Sequence, residues 1–480
     1  MKMALAPSSK IGLDGNSPLE PTGCPAPQMA EPRIIAETGT SMVRLNFILG
    51  PWSSPADRSL YCGKTWFETF DAIVDGLLAK NVAIYGLVGL ESVKPGPGDN
   101  FRRKTPGPGA EDWLRRYVEN VYTIVEHFSD RVWVFELINE PNSWFGGTTS
   151  LFHPYWMARI QKEVYLAVKP KFNVRIISGP ILAHDLPTGA DTGASYLRQM
   201  YYYGIRELGW GEVKSSLGSY PLDGVGYHPY IGQTRDKSPD YIQATLRTYL
   251  NAIWESITLY EGKSTSTRIY VSEIGWDSEQ GDDFQAAAMA AAFYTLLKDD
   301  RVQAAVWFCL RDFPGTTKGL YTQAGFGTLA RKPIYYRFQE WANISRNPAL
   351  LDVPVQVGRD ASGRIYWPII ECYLRHGGEK NLGLPFDNGG GVPVHRWGNG
   401  WVQDFQRPDG SFKSIIMLRD GTSKAYILYG PIRDYYIYEK GGAEGPLGYP
   451  VEDPSTDEWG LPKVRFERGM IAFRPMAFLV

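Results

Sequence analysis

The feature that most constrains the fold is an apolar run that ends abruptly in polar residues. Residues 132–142 read VWVFELINEPN, in which Glu136 alone breaks the bulky apolar pattern before Ile138. Such a run is too short for a buried helix and is typical of a strand buried on both faces, as in a parallel sheet. Pro141 has no N–H to donate and ends the strand. The sequence therefore predicts Glu140, preceded by an amide, at the carboxyl end of a buried strand.

A second stretch has the same pattern. Residues 268–278 read RIYVSEIGWDS, a short β-branched and aromatic run with Glu273 at its end. In a barrel of parallel strands, the carboxyl ends of the strands form the catalytic face. Two carboxylates there are the minimum requirement for retaining glycoside hydrolysis, in which one protonates the leaving oxygen and the other attacks the sugar. Because two such groups repel each other, one can stay protonated near neutral pH.

Strands and helices alternate along residues 1–345. The predicted strands are residues 10–14, 41–47, 81–90, 132–138, 174–178, 222–227, 268–273 and 303–309. Amphipathic helices between them predict an α/β fold, a (β/α)8 TIM barrel, although the first strand is poorly marked. The loop at residues 91–109, dense in Pro and Gly, is expected either to shape a cleft or to be a mobile surface loop.

The polar strand ends together resemble those of the clan A glycoside hydrolases. NEPN after the fourth strand, YHPY after the sixth and SEIGW after the seventh stand in that clan's order, and the resemblance covers about the first 345 residues. FELINEPN resembles the motif of families 39 and 5, and SEIGWDS also resembles the corresponding strand of family 17. The resemblance implies Glu140 as the acid/base and Glu273 as the nucleophile. Ile138 replaces the Trp usual before Asn-Glu, which weakens assignment to one family.

The same resemblance implies roles for neighbouring residues. Asn139 would bind the sugar 2-hydroxyl, and Arg44 on the second strand and Tyr230 would be donors to the nucleophile. His228 is expected to bind the sugar or to orient a carboxylate. Trp307 matches the clan's aromatic floor under the cleaved sugar, with barrel wall as the alternative.

Further expectations concern residues beside these. In the clan a non-proline cis peptide often follows the floor Trp, so one is expected at Trp307–Phe308. Trp144 and Trp276 closely follow the two glutamates and would either stack on neighbouring sugars or pack within loops. Glu136 lies deeper on its strand and is expected to pair with an interior cation such as Arg44.

The composition of the chain changes after residue 345. Residues 346–363 are predicted to be a linker, and residues 364–480 a small β-rich repeat domain. YWPIIECYLRHGGEKNLGLP at 366–385 aligns with YGPIRDYYIYEKGGAEGPLGYP at 429–450. A unit this short cannot bury its apolar face alone, so the copies should stack on each other or on the barrel.

The second copy resembles the LGFP repeat, a module of exported bacterial proteins that is linked to the cell envelope, whereas the first copy is looser. This resemblance implies an extracellular or envelope-associated protein. The repeats are then either a structural cap or a module that binds cell-wall glycan. The N-terminus, MKMALAPSSK, has no apolar h-region, so a signal peptide is not predicted, and the chain either stays inside or is a processed form.

Charge and motif content exclude several classes of function. The net charge of −2 suggests neither a nucleic-acid footprint nor a basic membrane patch. No apolar run approaches the length of a membrane span. Neither HxH nor HExxH occurs, and the four cysteines lack zinc-ligand spacing, so no metal or organic cofactor is expected. Cys24 and Cys62 could pair, although spacing cannot establish it, and Cys309 in an apolar run is expected to be a buried thiol.

The leading interpretation is a retaining β-glycosidase acting on a β-linked poly- or oligosaccharide, with carboxyl groups about 5–5.5 Å apart. The alternative is a wall-associated carbohydrate-binding protein with a weak or inactive barrel. A pure binding protein does not need both Glu140 and Glu273, which favours the enzyme. The identity of the sugar, endo or exo cleavage, and hydrolysis or transglycosylation stay open, because loop shape sets them.

Overall fold

Parallel strand pairing closes on itself in the first of two units, Met1–Arg346 and Asn347–Val480, in a computed structural model of the chain. The structure describes residues 4–143, 151–186, 189–322 and 330–473, apart from residues 352, 355, 363 and 423. The strands of the first unit are β1 (Ile11–Asp14), β2 (Met42–Asn46), β3 (Ala83–Val88), β4 (Val132–Leu137), β5 (Ile176–Leu186), β6 (Gly189–Asp191), β7 (Gly224–Tyr230), β8 (Arg268–Ile274) and β9 (Val302–Trp307). Their order is β4-β3-β2-β1-β9-β8-β7-β5, and β4 also pairs with β5, which closes the barrel; β6 is a short antiparallel extension of β5.

Helices occupy the crossovers between the barrel strands. They are α1 (Pro27–Ala30), α2 (Arg33–Ala36), α3 (Trp66–Leu78), α4 (Ala110–Phe128), α5 (Pro154–Val168), α6 (Ala194–Glu207), α7 (Trp210–Leu217), α8 (Pro239–Glu261), α9 (Asp282–Lys298) and α10 (Pro333–Arg346). The predicted (β/α)8 barrel is therefore confirmed. The start of α3 illustrates how sequence sets a boundary, because Thr65 and Glu68 form a capping box. Among the described helices, none is long and apolar enough to cross a bilayer.

Two strand predictions have different outcomes. The weakly marked first strand is confirmed as β1, which pairs in parallel with both β2 and β9. The end predicted for the fifth strand at residue 178 is wrong, because β5 continues to Leu186. Its register with β7 shifts between Ser178 and Ile181, so Gly179 and Pro180 mark a bulge rather than a break. Gly179 is required there, since a Cβ would lie 2.1 Å from the carbonyl oxygen of Ile138.

The barrel interior is layered. At its lower level an apolar cluster fills the space; its members are Met42, Ala83, Tyr85, Trp133, Val134, Ile177, Tyr270 and Ala304. The Tyr85 hydroxyl donates to Glu136 at 2.7 Å. This contact marks the boundary between the apolar cluster and a polar layer. The polar layer around Glu136 therefore lies above this apolar cluster, toward the carboxyl ends of the strands.

Both cysteine expectations for the first unit can be checked. Cys24 and Cys62 form a disulfide with their Cα atoms 5.4 Å apart. Cys309 is buried and reduced, and its Sγ donates to the carbonyl oxygen of Arg311 at 3.1 Å. The disulfide ties the segment after β1 to the loop after β2.

The second unit contains antiparallel sheets and short helices. Its helices are α11 (Trp367–Arg375), α12 (Gly378–Leu382) and α13 (Gly430–Asp434), the last continuing as a π-helical turn (Tyr435–Glu439). Its strands are β10 (Leu384–Pro385), β11 (His395–Arg396), β12 (Gly400–Gln406), β13 (Lys413–Arg419), β14 (Tyr426–Tyr429), β15 (Ser455–Thr456), β16 (Pro462–Phe466) and β17 (Gly469–Ala472). The segment assigned above to a linker contributes to this unit, since Asp360 bridges to Val394.

The two sequence copies make equivalent contacts. In the first copy the Tyr373 hydroxyl donates to the Gly383 carbonyl at 2.7 Å, and its ring packs on Phe405. In the second copy the Tyr436 hydroxyl donates to the Gly448 carbonyl, also at 2.7 Å, and its ring stacks on Phe466. Each copy thus closes a helix onto the Leu-Gly segment and one strand.

Removal of either tyrosine hydroxyl tests this equivalence. Tyr373→Phe and Tyr436→Phe should each lower the free energy of unfolding by about 1–2 kcal/mol, because each leaves a buried carbonyl without its donor. Tyr438→Phe, at a side chain 67% exposed, is the matched control. Urea unfolding of the full chain measures the losses, and a clearly unequal pair would contradict the structural repeat.

Candidate active site

The turn after β4 presents two polar side chains to the barrel mouth. Ile138 and Glu140 have φ values of 46° and 42°, a left-handed conformation that is uncommon for residues other than glycine. The turn is fixed from behind by Asn142, which donates to the Leu182 carbonyl and accepts from the Leu182 N–H, both at 2.8 Å. Such local strain persists only where surrounding contacts over-determine it.

A buried guanidinium organises the polar layer. Arg44 on β2 is 3% exposed and donates to Glu136 at 2.9 Å, to Asp14 at 3.2 Å and to Glu273 at 2.5 Å. It also donates to Oδ1 of Asn139 at 2.7 Å. These carboxylates hold the pKa of Arg44 well above its usual range, although burial opposes them. The expectation that Glu136 pairs with an interior cation is confirmed.

Asn139 is oriented by this contact. Because its Oδ1 accepts from Arg44, its Nδ2 is left to donate toward the barrel mouth, where Asn139 lines a cavity with Glu273. The amide lies directly before Glu140 in the chain. A ligand hydroxyl placed there would meet a donor rather than an acceptor.

Glu273, at the end of β8, accepts on both oxygens. Arg44 donates to Oε1, and the Tyr230 hydroxyl donates to Oε2 at 2.7 Å. Burial raises the pKa of Glu273 above its usual value, and the charge of Arg44 opposes that rise. The permanent cation and the phenol provide the surroundings that a carboxylate needs to stay charged in a buried site.

Glu140 has a different environment. Its Oε1 lies 2.9 Å from Nδ1 of His228, and burial raises its pKa to about 7, against a weaker opposing effect of Arg44. His228 is fully buried, and desolvation lowers its pKa to about 4, so the imidazole is neutral near pH 7. A hydrogen-bonded pair of this kind needs one proton between the two side chains.

The position of that proton follows from the neighbouring contacts. The Ser272 hydroxyl donates its hydrogen to Oε1 of Glu136 at 2.7 Å, so it can only accept from Nε2 of His228 at 3.1 Å. Neutral His228 then carries its proton on Nε2, and its Nδ1 is an acceptor. Glu140 therefore donates in this hydrogen bond, which favours its acid form.

The two glutamates lie close together. Ligand atoms of Glu140, His228 and Glu273 are all within 4.8 Å of one another, a spacing that could also suit a metal ion. Arg44 and Tyr230 already occupy both oxygens of Glu273, which disfavours a cation there. In the second unit Cys372, His376 and Asp453 form a similar group. There Asp453 accepts from Arg375 and from the Ile427 N–H, which again uses the carboxylate.

For two of the three tryptophans, the structure decides between a place facing the sugar and a place in the packed interior. Trp307 is fully buried and its Nε1 donates to the Lys318 carbonyl at 3.0 Å, so it is barrel wall rather than floor. Trp276 is also fully buried and donates to the carbonyls of Ile231 and Gly232, so it packs within a loop. Trp144 lies outside the described residues.

Phe308 takes the place predicted for Trp307. The non-proline cis peptide is Phe308–Cys309, one residue later than predicted. Phe308 lines the cavity with Glu273, and its backbone passes so close to Gly275 that a Cβ there would lie 2.3 Å from the Phe308 carbonyl oxygen. The aromatic surface beside Glu273 is therefore a phenylalanine.

This cavity has a volume of about 530 Å³ and opens beside Glu273. Its lining comprises Asp14, Asn16, Ser17, Pro18, Arg44, Asn46, Ile48, Leu87, Glu91, Asn139, Glu273, Phe308, Arg311 and Phe313. Sequence motifs missed most of these residues because they lie on loops after β1, β2 and β9, although Asp14 ends a predicted strand as the glutamates do. A larger cavity, about 1070 Å³, lies at the opposite, amino-terminal ends of the strands, away from both glutamates.

No protein-family model matches the chain. No curated protein matches it either. Among solved structures, the chain is similar to a family 39 glycoside hydrolase from the gut symbiont Bacteroides cellulosilyticus WH2, with 16% identity over 86% of this chain and 71% of that chain, TM-score 0.46. It is also similar to a monomeric β-xylosidase from Caulobacter crescentus CB15 (16% identity, 86% and 75% covered, TM-score 0.47). A third is a β-glucosidase from Thermotoga maritima (14% identity, 71% and 98% covered, TM-score 0.47).

Ser272 should control the protonation of Glu140 through His228. In Ser272→Ala the imidazole loses its acceptor on Nε2, so the tautomer protonated on Nδ1 becomes accessible and can donate to ionised Glu140. The pKa of Glu140 should then fall from about 7 by roughly one unit. Carbon-13 NMR titration of labelled glutamate carboxyls measures it, with the resonance assigned by its loss in Glu140→Gln.

The matched control is Ser215→Ala, at an exposed serine of α7, which should leave the titration unchanged. An unshifted Glu140 in Ser272→Ala would contradict the proton placement.

Proposed function

We propose that the first unit is a retaining glycoside hydrolase of the clan A type that cleaves β-linked oligo- or polysaccharides. One observation carries the proposal: two glutamates share one pocket but have opposite surroundings. Glu140 is held as an acid by neutral His228. Glu273 accepts from a guanidinium and a phenol, as a carboxylate requires. This difference supports Glu140 as the acid and Glu273 as the nucleophile.

In the first step Glu273 attacks the anomeric carbon while Glu140 transfers its proton to the glycosidic oxygen. The bond from carbon to the leaving oxygen breaks as the bond from carbon to a Glu273 oxygen forms, giving a glycosyl ester and a free alcohol. The hydrogen bonds from Tyr230 and Arg44 to Glu273 weaken in this step, because Glu273 loses its negative charge when the ester forms. Asn139 Nδ2 would donate to the neighbouring sugar hydroxyl.

In the second step the ionised Glu140 acts as base. It takes a proton from water, the water oxygen attacks the anomeric carbon, and the ester bond to Glu273 breaks. Both glutamates return to their starting states. The nearest oxygens, within 4.8 Å, support this route over inversion, for which the carboxyl groups stand about 6.5–9.5 Å apart to admit water.

Replacement of each glutamate should separate the two roles. Glu273→Gln should abolish turnover of every substrate, because no covalent intermediate can form. Glu140→Gln should lower kcat/KM by about 10²- to 10⁴-fold on natural glycosides but far less on nitrophenyl glycosides, whose leaving groups need no proton. Glu279→Gln, at an exposed glutamate in the connection between β8 and α9, is the control.

Product release from a panel of β-linked polysaccharides and aryl β-glycosides measures these effects. Turnover that survives Glu273→Gln would contradict the nucleophile. Silence of the wild type across the panel would favour a carbohydrate-binding protein.

The pH dependence follows from the acid. The pKa of Glu140 is raised to about 7, and the first step needs its protonated form, so kcat/KM should fall as pH rises through about 7. In Glu140→Gln, assayed on a nitrophenyl glycoside, this alkaline limb should disappear. A limb that persists in the variant would assign the titration to another group.

A further inference from the structure

The cavity beside Glu273 contains a cation with no partner in the described ranges. Arg311 follows β9, is partly buried and lines the cavity. Among residues 4–143, 151–186, 189–322 and 330–473, its guanidinium has neither a hydrogen bond nor an ion pair. This contrasts with Arg44, whose guanidinium is surrounded by carboxylates in the same cavity.

The backbone of Arg311, by contrast, is held firmly. The Asn16 side chain donates to the Arg311 carbonyl at 3.1 Å and accepts from the Arg311 N–H at 2.9 Å. Cys309 Sγ donates to the same carbonyl. Asn16 is itself fixed, since its N–H donates to Asp14 at 2.9 Å. The backbone of Arg311 is therefore fixed beside the cavity, and its guanidinium is available to a ligand.

Other lining groups suit a sugar that carries a negative charge. Phe308 and Phe313 present two rings, with centroids 6.0 Å apart, whose faces can pack on sugar C–H groups. The Oδ1 atom of Asn46 is buried without a hydrogen-bond partner, so it can accept from a hydroxyl. Glu91 is the other charged lining residue outside the Arg44 cluster, and it is exposed.

The position of the cavity tells which part of the substrate enters it. Glu140, the proton donor to the leaving oxygen, does not line the cavity, whereas Glu273 does. The leaving group therefore lies toward Glu140. The sugar that stays on Glu273, or the residue attached to its non-reducing side, extends into the cavity.

We propose that this cavity binds a hexuronic acid on the glycon side of the cleaved bond, with its carboxylate paired to Arg311. A guanidinium presents parallel N–H donors that match a carboxylate, which makes this pair stronger and more selective than a contact with a neutral hydroxymethyl group. The inference rests on the proposed function and adds the substrate class to it.

Matched pairs of substrates test the proposal. Each pair is a nitrophenyl β-hexuronide and the corresponding β-hexoside, in the gluco, galacto and manno series, so that only the group at C6 differs. The wild type should favour one uronide by at least about tenfold in kcat/KM. In Arg311→Gln the ratio of uronide to hexoside should fall by about 10- to 100-fold, since a charge-assisted hydrogen bond is lost. Arg311→Lys, which keeps charge but not the fork, should lie between.

Two controls separate specific from general effects. Arg206→Gln, at an exposed arginine of α6, changes net charge equally and should keep the wild-type ratio. Far-UV circular dichroism and unfolding curves check that each Arg311 variant folds. A matched 6-sulfate tests the other source of negative charge, and an equal preference for it would overturn the carboxylate assignment.

The failure of this inference is distinguishable from failure of the enzyme assignment. If hexosides are cleaved as fast as uronides, and Glu273→Gln abolishes both, the hydrolase stands and the uronate site is overturned. If no glycoside is cleaved, binding decides: calorimetry of the methyl β-hexuronide and methyl β-hexoside of each of the three series with Glu140→Gln should show tighter binding of one acid that is lost on adding Arg311→Gln. Equal or absent binding of acid and neutral sugar in all three series would overturn the site.

Discussion

The pairing of Arg44 with the carboxylates of three strands is the interaction on which the carboxyl-terminal end of the barrel depends. Asp14, Glu136 and Glu273 come from β1, β4 and β8, and the guanidinium is almost fully buried between them. Breaking a buried pair by removing one partner typically costs about 3–5 kcal/mol, because the other charge stays unpaired. A planar fork also fixes direction, which lysine would not do. The position of Glu273 is thus set by strands distant in sequence.

The same network separates the chemistry of two identical side chains. Glu136 sits at the centre and accepts from Arg44, Tyr85 and Ser272. Because Ser272 donates its hydrogen to Glu136, it can only accept from Nε2 of His228. This fixes the tautomer of His228 whose Nδ1 accepts from Glu140. From the sequence, Glu136 is expected only to pair with an interior cation. In the structure it does not line the cavity beside Glu273, yet through Ser272 and His228 it determines where the proton of Glu140 rests.

The local sequence pattern predicted most of the features that lie on the barrel strands. Buried parallel strands have a distinctive apolar run, and Glu140 and Glu273 follow such runs directly, so their meeting at one barrel face follows from topology. Side-chain direction beyond the strand end could not be predicted in this way. Register shifts between β8 and β9, one of them just before Ile274, alter which residue faces the mouth. Since neighbours on a strand point to opposite faces, a one-residue difference turns Trp307 into the wall and brings Phe308 to the cavity.

Arg44 and Arg311 show why one arginine was predictable and the other was not. Arg44 lies within a strand, where the family resemblance placed it beside the nucleophile, and a cation inside a barrel requires carboxylates, so its pairing could be anticipated. Arg311 lies on a loop, and its position depends on a side-chain pairing with Asn16, almost the whole barrel away in sequence. The two also differ in kind. An arginine saturated by its own protein holds a structure together, whereas Arg311 has an anchored backbone and a guanidinium without a partner among the described residues. That anchoring of the backbone beside the cavity is visible only in three dimensions.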